Sequence, residues 1–469
     1  MVTHISRKEL ALGALIFLAY AVFIYRLVSQ LAPLGWDEAV YAVKGRAIRF
    51  GTEAVTWEAY RAPGLPIVLS PIITSGDSAL RLIPAVFGAI GIANTWWLAK
   101  RFFGALAGGI AAAGLALTPT WLRASTQIWP DIPGAVLGLA AITAVILATE
   151  REGLSWWALL AAPLTFLATL IRFGAPIPIA IGLIIVSVIR VRVFMKRPVR
   201  AIVLVVSVSA AVAAVVLTPL TTGIGVSPMT AMGSLLASND FPISRGFSDY
   251  TAQYRGLFGG WGFVIVSLGI GLGLSQATRL RNHLAISATT GIATVLVLAA
   301  IIHGELRYLS PSLPFLWIAA AGGLATASTH LPAPSNVFLA GFMVLTMIFG
   351  AAVYANDTND WLARWRGLRS ASQEVGAASG FENCGVLSSR LPVAAWYSGC
   401  KTFHYAEKDL AELMDDDIEA VYLIVVDDGT APVLEDIEIF DIEPDNPMIT
   451  YEPVRGDYFY PTTVFEVAP

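Results

Sequence analysis

Charged residues are scarce in this chain: Asp, Glu, Lys and Arg make up 14% of its 469 residues. A soluble domain of average composition carries roughly 25%, so the charge here is too little to cover the surface of a water-soluble globule. Hydrophobic residues make up 56%, and the mean hydropathy is +0.67. The composition therefore predicts a protein that lies mostly within a membrane.

Several sequence motifs of enzymes are also missing. The chain has no phosphate-binding P-loop, no HExxH, no GxSxG, and no GxGxxG in a strand-to-helix context. Because each of these motifs supplies a specific nucleotide, metal or nucleophile site, their absence argues against an ATPase and a zinc protease. It also predicts that no nucleotide is bound.

Cysteine is rare: Cys384 and Cys400 are the two in the chain, and both lie near its C-terminus. An extracytoplasmic location would permit a disulfide between them. Two thiols 16 positions apart also occur free, so the sequence leaves both states open.

The charge is divided unevenly along the chain. Residues 1–356 carry a net charge of +11, whereas residues 357–469 carry −15. This difference predicts a basic transmembrane catalytic domain at 1–356 and an acidic, soluble extracytoplasmic domain at 357–469, neither with the footprint of a nucleic-acid-binding protein. In the acidic part, the strand-like runs 384–387 and 420–426 flank a helix-like stretch at 408–414, which predicts a small α/β domain.

Apolar runs long enough to cross a bilayer occur eleven times. They lie at about 10–32, 80–99, 104–122, 129–149, 154–171, 174–190, 200–221, 257–276, 283–302, 308–328 and 335–355. A shorter run at 64–74, interrupted by prolines, predicts a re-entrant or interfacial helix. The expected fold class is an all-α polytopic membrane protein with a small C-terminal α/β domain.

The cations between these runs give the expected orientation. Twelve of them fall on one side, including a cluster at 190–200. Because Lys and Arg accumulate in cytoplasmic loops, we expect a plasma-membrane protein with a cytoplasmic N-terminus and, after eleven spans, an extracytoplasmic C-terminal domain. The segments 33–79, 123–128, 222–256 and 303–307 then lie on the outer side.

Carboxylates stand at two places on that outer side. Asp37 and Glu38 follow the first apolar run, and Asp131 begins the fourth in Trp129-Pro130-Asp131-Ile132-Pro133. Both sets could cap helices, since an acid before an apolar stretch accepts backbone N–H bonds. A partly desolvated carboxylate can also act as a general base or a metal ligand, and two acids predicted at similar depth favour a site.

Arginines on the outer side depart from the usual charge bias. Arg61 and Arg307 are the most suggestive, the latter in the compact polar segment His303-Gly304-Glu305-Leu306-Arg307-Tyr308. Such side chains can simply extend to lipid headgroups, and Arg307 with Tyr308 could be an interfacial anchor. Together the guanidinium groups suit a phosphate-bearing ligand. His303 is a candidate metal ligand or a hydrogen-bonded interfacial residue.

Five short motifs, in this order, resemble the GT-C integral-membrane glycosyltransferases, in the branch of protein O-mannosyltransferases and the lipid A aminoarabinose transferase. They are Asp37-Glu38 with Tyr41, Tyr60-Arg61-Ala62-Pro63-Gly64-Leu65-Pro66, Arg81-Leu82-Ile83-Pro84, Asp131-Ile132-Pro133 and Glu305-Leu306-Arg307-Tyr308-Leu309. The resemblance covers roughly residues 1–330. One departure concerns the second motif, where the family often has a basic residue followed by two prolines and Leu.

The resemblance implies a role for each site residue. Asp37 would be the general base or metal-associated acid that readies the acceptor, with Glu38 in support and Asp131 as the second acid. Arg61 and Arg307, with Tyr308, would bind the donor phosphate. A divalent metal, if bound, would be held by ligands drawn from Asp37, Asp131 and His303.

The implied activity is transfer of a hexosyl or pentosyl group from a polyprenyl-phosphate sugar donor to a lipid, glycan or protein acceptor of the cell envelope. A lipid-linked sugar flippase or other transporter is the alternative, and a catalytically inactive scaffold is a third possibility. Transporters tend to contain paired repeats with broken helices. The chain shows no clear internal symmetry, which favours the enzyme.

Overall fold

The computed structural model is mostly helical. It describes residues 20–22, 24, 26, 28, 33–51, 61–150, 153–217, 248, 250, 257–259, 261–276, 281–301, 305–328, 365–380, 384–403, 418, 420–426, 447–451 and 462–467. The α-helices are Trp36–Phe50, Gly64–Leu69, Asp77–Phe103, Ala105–Ala116, Pro119–Thr126, Asp131–Thr149, Ala161–Ile171, Pro176–Ile189, Val191–Met195, Pro198–Leu217, Trp261–Gln276, Arg281–Ile301, Leu313–Ser328, Arg366–Ala378 and Leu391–Ser398. Short 3-10 helices lie at Ser70–Ser75, Trp156–Leu160 and Leu306–Ser312.

Five of the described helical segments are long and apolar enough to cross a bilayer. They are Asp77–Phe103, Asp131–Thr149, Pro198–Val215, Asn282–Ile301 and Leu306–Ser328. Ala105–Ala116 and Pro119–Thr126, bent by 60° at their junction, would form a sixth as one broken span. The chain is therefore a multi-pass membrane protein. Of the eleven predicted runs, 335–355 and most of 10–32 lie outside the described residues, so the number of spans stays a prediction.

The run at 64–74 is helical, as Gly64–Leu69 followed by the 3-10 helix Ser70–Ser75. Twelve helical residues are too few to cross the hydrocarbon core, which needs about 20. The guanidinium of Arg49 donates to the Pro71 carbonyl at 2.6 Å. This contact ties the short helix to Trp36–Phe50.

The chain divides into two compact units. Unit one contains residues 1–28, 59–64 and 81–355, and unit two contains 29–58, 65–80 and 356–469. This grouping differs from the predicted domains 1–356 and 357–469 in two segments, 29–58 and 65–80, which join the C-terminal residues. The helix that carries Asp37 thus belongs to the same unit as the C-terminal sheet.

Close helix packing in unit one depends on small residues. A Cβ atom on Gly323 would lie 1.8 Å from the Gly269 carbonyl oxygen, and one on Gly114 would lie 2.3 Å from the Trp317 ring. Trp317 also donates its indole N–H to the Thr118 hydroxyl at 2.8 Å. Helices in membranes associate through such backbone approaches and interhelical hydrogen bonds, so larger residues at these glycines would separate the helices.

Unit two contains a five-stranded mixed sheet of order β2-β1-β3-β5-β4. The strands are β1 Cys384–Ser388, β2 Lys401–Phe403, β3 Ala420–Val426, β4 Ile449–Tyr451 and β5 Thr462–Val467. β1 pairs parallel with β2 and β3, whereas β5 pairs antiparallel with β3 and β4. The runs 384–387 and 420–426 are confirmed as strands, while the predicted helix at 408–414 lies outside the described residues.

The two cysteines form a disulfide. Cys384 begins β1, Cys400 immediately precedes β2, and their Cα atoms are 4.9 Å apart. The bond therefore closes the parallel β1–β2 crossover, whose intervening helix is Leu391–Ser398.

Candidate active site

Asp131 is a buried carboxylate at the first position of its helix, with an exposed fraction of 2%. Pro130 and Pro133 favour a helix start here, because proline fits the first turn without loss of a hydrogen bond. The Asp131 side chain contacts two arginines, with Arg172 Nη1 2.6 Å from Oδ1 and Arg307 Nε 3.9 Å from Oδ2.

Arg172 directly follows the helix Ala161–Ile171, and its backbone N–H donates to the Ala168 carbonyl at 2.8 Å. A Cβ atom on Gly134 would lie 3.2 Å from Arg172 Cβ, so a small residue at Gly134 leaves room for the arginine to reach Asp131. The sequence places Arg172 among the outer-side cations that together suit an anionic ligand, but gives it no individual role. Its signal was a cation directly after an apolar run, on the side where cations are unexpected.

Arg307 is held by an acid and two aromatic rings. Its Nε lies 2.8 Å from Glu305 Oε2, and its Nη2 donates to Oε1 at 3.1 Å. Its guanidinium carbon is 4.1 Å from the centre of a Trp129 ring and 5.4 Å from that of Tyr308. With an exposed fraction of 9%, Arg307 is packed inside the protein, whereas an arginine extended to lipid headgroups would have an accessible guanidinium.

Tyr308 connects the two arginines. The guanidinium carbon of Arg172 lies 5.3 Å from the centre of its ring, nearly the same separation as for Arg307. Cation–π contacts of this kind stabilise a guanidinium without neutralising it. The arrangement therefore keeps two positive groups close together in a buried site.

Tyr250 is a further residue of this region that sequence reasoning missed. Its exposed fraction is 7%, and its hydroxyl makes no hydrogen bond among the described residues. Burial raises the pKa of Tyr250 above its usual range, and the neighbouring Tyr308, Glu305 and Asp131 add to this effect while Arg172 opposes it. A buried hydroxyl that stays protonated is available to donate a hydrogen bond.

Arg61 is half-buried and stands three residues before Gly64. A Cβ atom on Gly64 would lie 2.6 Å from the Leu170 carbonyl oxygen. The backbone after Arg61 therefore lies directly against the helix end that carries Arg172. Such an approach is possible only for glycine, which explains the Pro63-Gly64 step of the motif.

Asp37 and Glu38 begin the helix Trp36–Phe50 in unit two. Glu38 has an exposed fraction of 1%, and its Oε2 accepts the N–H of Gly35 at 3.0 Å. Glu38 therefore performs the N-terminal capping that was considered for Asp37. Asp37 is half-buried in the first turn of the same helix.

Residues 68–219 match the model of the dolichyl-phosphate-mannose-protein mannosyltransferase family. Among curated proteins, no sequence matches the chain. In fold, the chain is similar to ArnT from Cupriavidus metallidurans in the apo state, with a TM-score of 0.69 at 13% identity over 97% of this chain and 98% of that one. The resemblance to GT-C membrane glycosyltransferases is confirmed.

Two further solved structures share this GT-C fold. ArnT from Cupriavidus metallidurans bound to undecaprenyl phosphate gives a TM-score of 0.66 at 14% identity, covering 97% of this chain and 98% of that one. The Archaeoglobus fulgidus oligosaccharyltransferase in complex with Zn and sulfate gives 0.55 at 15% identity, covering 87% and 67%. The matched family segment contains Asp131 and Arg172, whereas Asp37, Arg61 and Arg307 lie outside it.

The residues described in this GT-C fold include no group of three His, Cys, Asp or Glu side chains that could hold a metal ion. Asp131 in particular does not fit a metal, because its oxygens face two guanidinium groups that would repel a cation. His303 lies outside the described residues. The prediction of a divalent metal therefore depends on Asp37 and His303.

Proposed function

We propose that the protein is a glycosyltransferase that moves a sugar from a polyprenyl-phosphate donor to a cell-envelope acceptor on the extracytoplasmic side of the membrane. The main support is a pair of guanidinium groups in unit one. Those of Arg172 and Arg307 both contact the buried Asp131 carboxylate. Buried arginines close to one another match the geometry of a phosphate oxyanion.

On donor binding, Arg307 would exchange its partner Glu305 for the phosphate. It binds Glu305 through Nε and Nη2, the same edge that forms a two-point contact with a phosphate. The Glu305 side chain is 52% exposed, so it can turn toward solvent when the donor arrives. Asp131 and Tyr308 would then hold the guanidinium groups in place.

An apolar crevice lies next to these arginines. It is lined by Gly138, Leu139, Ile179, Leu298 and Phe315, and it reaches Arg172 and Tyr308. Its volume of about 10 Å³ is room for about one water molecule, so the isoprene units of a donor would lie outside it.

Two structures of similar fold support the proposed ligands. ArnT has been solved with bound undecaprenyl phosphate, which supports a polyprenyl-phosphate donor, and the archaeal oligosaccharyltransferase has been solved with a tethered acceptor peptide, which supports an acceptor.

The transfer itself requires little chemistry from the protein. The acceptor oxygen attacks the anomeric carbon, its proton passes to Asp37, and the bond between that carbon and the phosphate oxygen breaks. The leaving polyprenyl phosphate gains negative charge, which Arg172, Arg307 and Arg61 stabilise.

The proposed orientation follows from charge. The short helix Val191–Met195 and the residues directly after it contain four cations, namely Arg192, Lys196, Arg197 and Arg200. Met195 in this helix is 72% exposed. A cationic loop of this kind is typical of the cytoplasmic side. The N-terminus is then cytoplasmic and the C-terminal domain extracytoplasmic.

Purified protein in proteoliposomes, supplied with a polyprenyl-phosphate donor carrying a labelled sugar, tests the function. We expect the label to move to an acceptor with release of free polyprenyl phosphate, and the Asp37→Asn variant to abolish this transfer. Movement of intact donor across the bilayer without release would identify a transporter instead. Neither transfer nor movement would indicate a catalytically inactive scaffold.

A further inference from the structure

A hydrogen-bonded cluster in unit two connects the start of the Asp37 helix to the C-terminal domain. Tyr397 accepts the N–H of Leu34 at 2.7 Å and donates its hydroxyl to Asp77 Oδ2 at 2.6 Å. The neighbouring Trp396 donates its indole N–H to Asp77 Oδ1 at 2.9 Å. One carboxylate thus fixes two adjacent aromatic side chains, and one of those holds the backbone three residues before Asp37.

The same helix of the C-terminal domain, Leu391–Ser398, also binds the middle of Trp36–Phe50. Arg46 donates to the carbonyl oxygens of Ala395 at 2.5 Å and Trp396 at 3.3 Å, and its guanidinium carbon lies 5.5 Å from the centre of the Trp396 ring. The Asp37 helix is therefore held at two points, its preceding segment and its third turn. Two points on one rigid helix define its axis.

The segment between these points leaves Asp37 little freedom. Leu34 has no exposed area, and Gly35 donates its N–H to buried Glu38. The backbone from Leu34 to Glu38 is thus fixed by Tyr397 on one side and by Glu38 on the other. Loss of the Tyr397 hydroxyl would leave the Leu34 N–H without its acceptor and Asp77 with one donor fewer.

We propose that Tyr397, oriented by Asp77, is a positioning residue for Asp37, so that the C-terminal domain sets the geometry of the catalytic carboxylate. This inference rests on the proposed function of Asp37 as the base. Tyr397 acts through the Leu34 backbone, and a misplacement of about 1 Å can lower a rate by about 10²-fold. The donor phosphate site lies in unit one, so donor affinity should not depend on Tyr397.

The Tyr397→Phe variant tests the proposal, with Tyr422→Phe as the matched control. Tyr422 is a buried tyrosine of β3 in the same domain, outside the Leu34–Asp77 cluster. For Tyr397→Phe we expect kcat to fall about ten- to a hundredfold with KM for the donor unchanged, and faster hydrogen exchange in a peptide covering residues 33–40. Tyr422→Phe should change neither quantity.

Either of two results would overturn the positioning role: unchanged exchange at residues 33–40, or faster exchange with unchanged kcat. Equal changes in kcat and in donor KM would also overturn it, because they indicate general damage. If Tyr397→Phe fails to fold, Asp77→Asn replaces it, since this nearly isosteric change weakens the hydrogen bonds of both aromatic residues. A wild-type protein without transfer activity would refute the proposed function, whereas the exchange measurement would still decide whether Tyr397 fixes this helix start.

Discussion

Arg172 and Asp131 form a buried ion pair in which Nη1 and Oδ1 are 2.6 Å apart, and the two side chains are 12% and 3% exposed. They come from the end of one helix and the start of another. Each therefore compensates a charge that would otherwise be buried alone, and Asp131 lies near Arg307 as well.

Removal of either Asp131 or Arg172 should destabilise unit one. Loss of one member of a buried pair typically costs about 3–5 kcal/mol, because the other charge remains uncompensated. We expect Asp131→Asn and Arg172→Met each to lower the thermal stability in detergent, and the double variant to lose less than the sum of the two. Additive losses in this double-mutant cycle would mean that the pair is not coupled. Asp131→Asn should also impair turnover.

Asp37→Asn should abolish turnover while the protein remains folded. Removal of a positioned general base costs about 10²–10⁴ in rate, and at this helix start the Gly35 N–H is bonded by Glu38. Glu38→Gln is the matched control, because an amide oxygen can still accept the Gly35 N–H. We expect it to retain most of the activity. Turnover near the wild-type level in Asp37→Asn would exclude this residue as the base.

Arg307→Ala and Arg61→Ala should weaken binding of polyprenyl phosphate about ten- to a hundredfold, since each removes a charge-assisted hydrogen bond worth about 1.5–3 kcal/mol. Arg101→Ala is the control, because Arg101 lies in the last turn of the helix Asp77–Phe103 and pairs with Glu150, outside the candidate site. Affinity is measured in neutral detergent, where headgroup effects are absent. Lys should restore binding partly at Arg61 and little at Arg307, where two nitrogens bind one acceptor.

Unchanged phosphate affinity in both alanine variants would place the donor phosphate elsewhere on the outer face. Arg245 and Arg255, two arginines of the predicted outer segment 222–256, are then the next candidates, and both lie outside the described residues.

Single cysteines should report the orientation of the chain. Phe50→Cys and Met448→Cys, at positions 52% and 39% exposed, should react with an impermeant thiol reagent in intact cells. Met195→Cys, at a position 72% exposed, should react only after permeabilisation. The native cysteines are bonded to each other and do not interfere. If Met195→Cys alone were labelled in intact cells, the orientation of the chain and the side of the active site would be opposite to those proposed.

Replacing both Cys384 and Cys400 by Ser should destabilise the C-terminal domain. A cross-link that closes a loop of 15 residues is worth about 3 kcal/mol in the chain-entropy model, and here the separation is 16. Thermal unfolding of the double variant, compared with wild type under oxidising conditions, measures the loss. Addition of reductant should lower the stability of the wild type toward that of the variant and leave the variant unchanged.

Much of the fold could be predicted from the sequence, because the bilayer imposes length and composition on a helix. Asp131–Thr149 lies close to the predicted run 129–149, and β3 to the strand-like run 420–426. The grouping of Trp36–Phe50 with the C-terminal sheet was not predicted. It depends on hydrogen bonds between residues more than 300 positions apart, such as that from the Arg46 guanidinium to the Ala395 carbonyl, for which local periodicity carries no signal.

Only part of the candidate site could be predicted, because the sequence shows polar residues in apolar runs but not the contacts between distant segments. Asp131 and Arg307 were recognisable as polar residues in apolar surroundings, and the structure places both in one cluster. Arg172 looked like any interfacial arginine, since its function depends on the room that Gly134 leaves beside it. Tyr250 stood in a long polar segment with no motif.

The bond between Asp77 and Tyr397 also sets a time order for biogenesis. The two residues are 320 positions apart, and at a synthesis rate of about 5–20 residues per second the second leaves the ribosome roughly 15 to 65 s after the first. During that interval the Asp37 helix lacks Tyr397 and the carbonyl oxygens of Ala395 and Trp396 that bind it. A nascent or truncated chain that ends before Leu391 therefore contains Asp37, Asp131, Arg61, Arg172 and Arg307, but it lacks the helix Leu391–Ser398 that is proposed to orient Asp37. If Tyr397 positions Asp37 as proposed, we expect the full rate of transfer only after residues 391–398 have been synthesised.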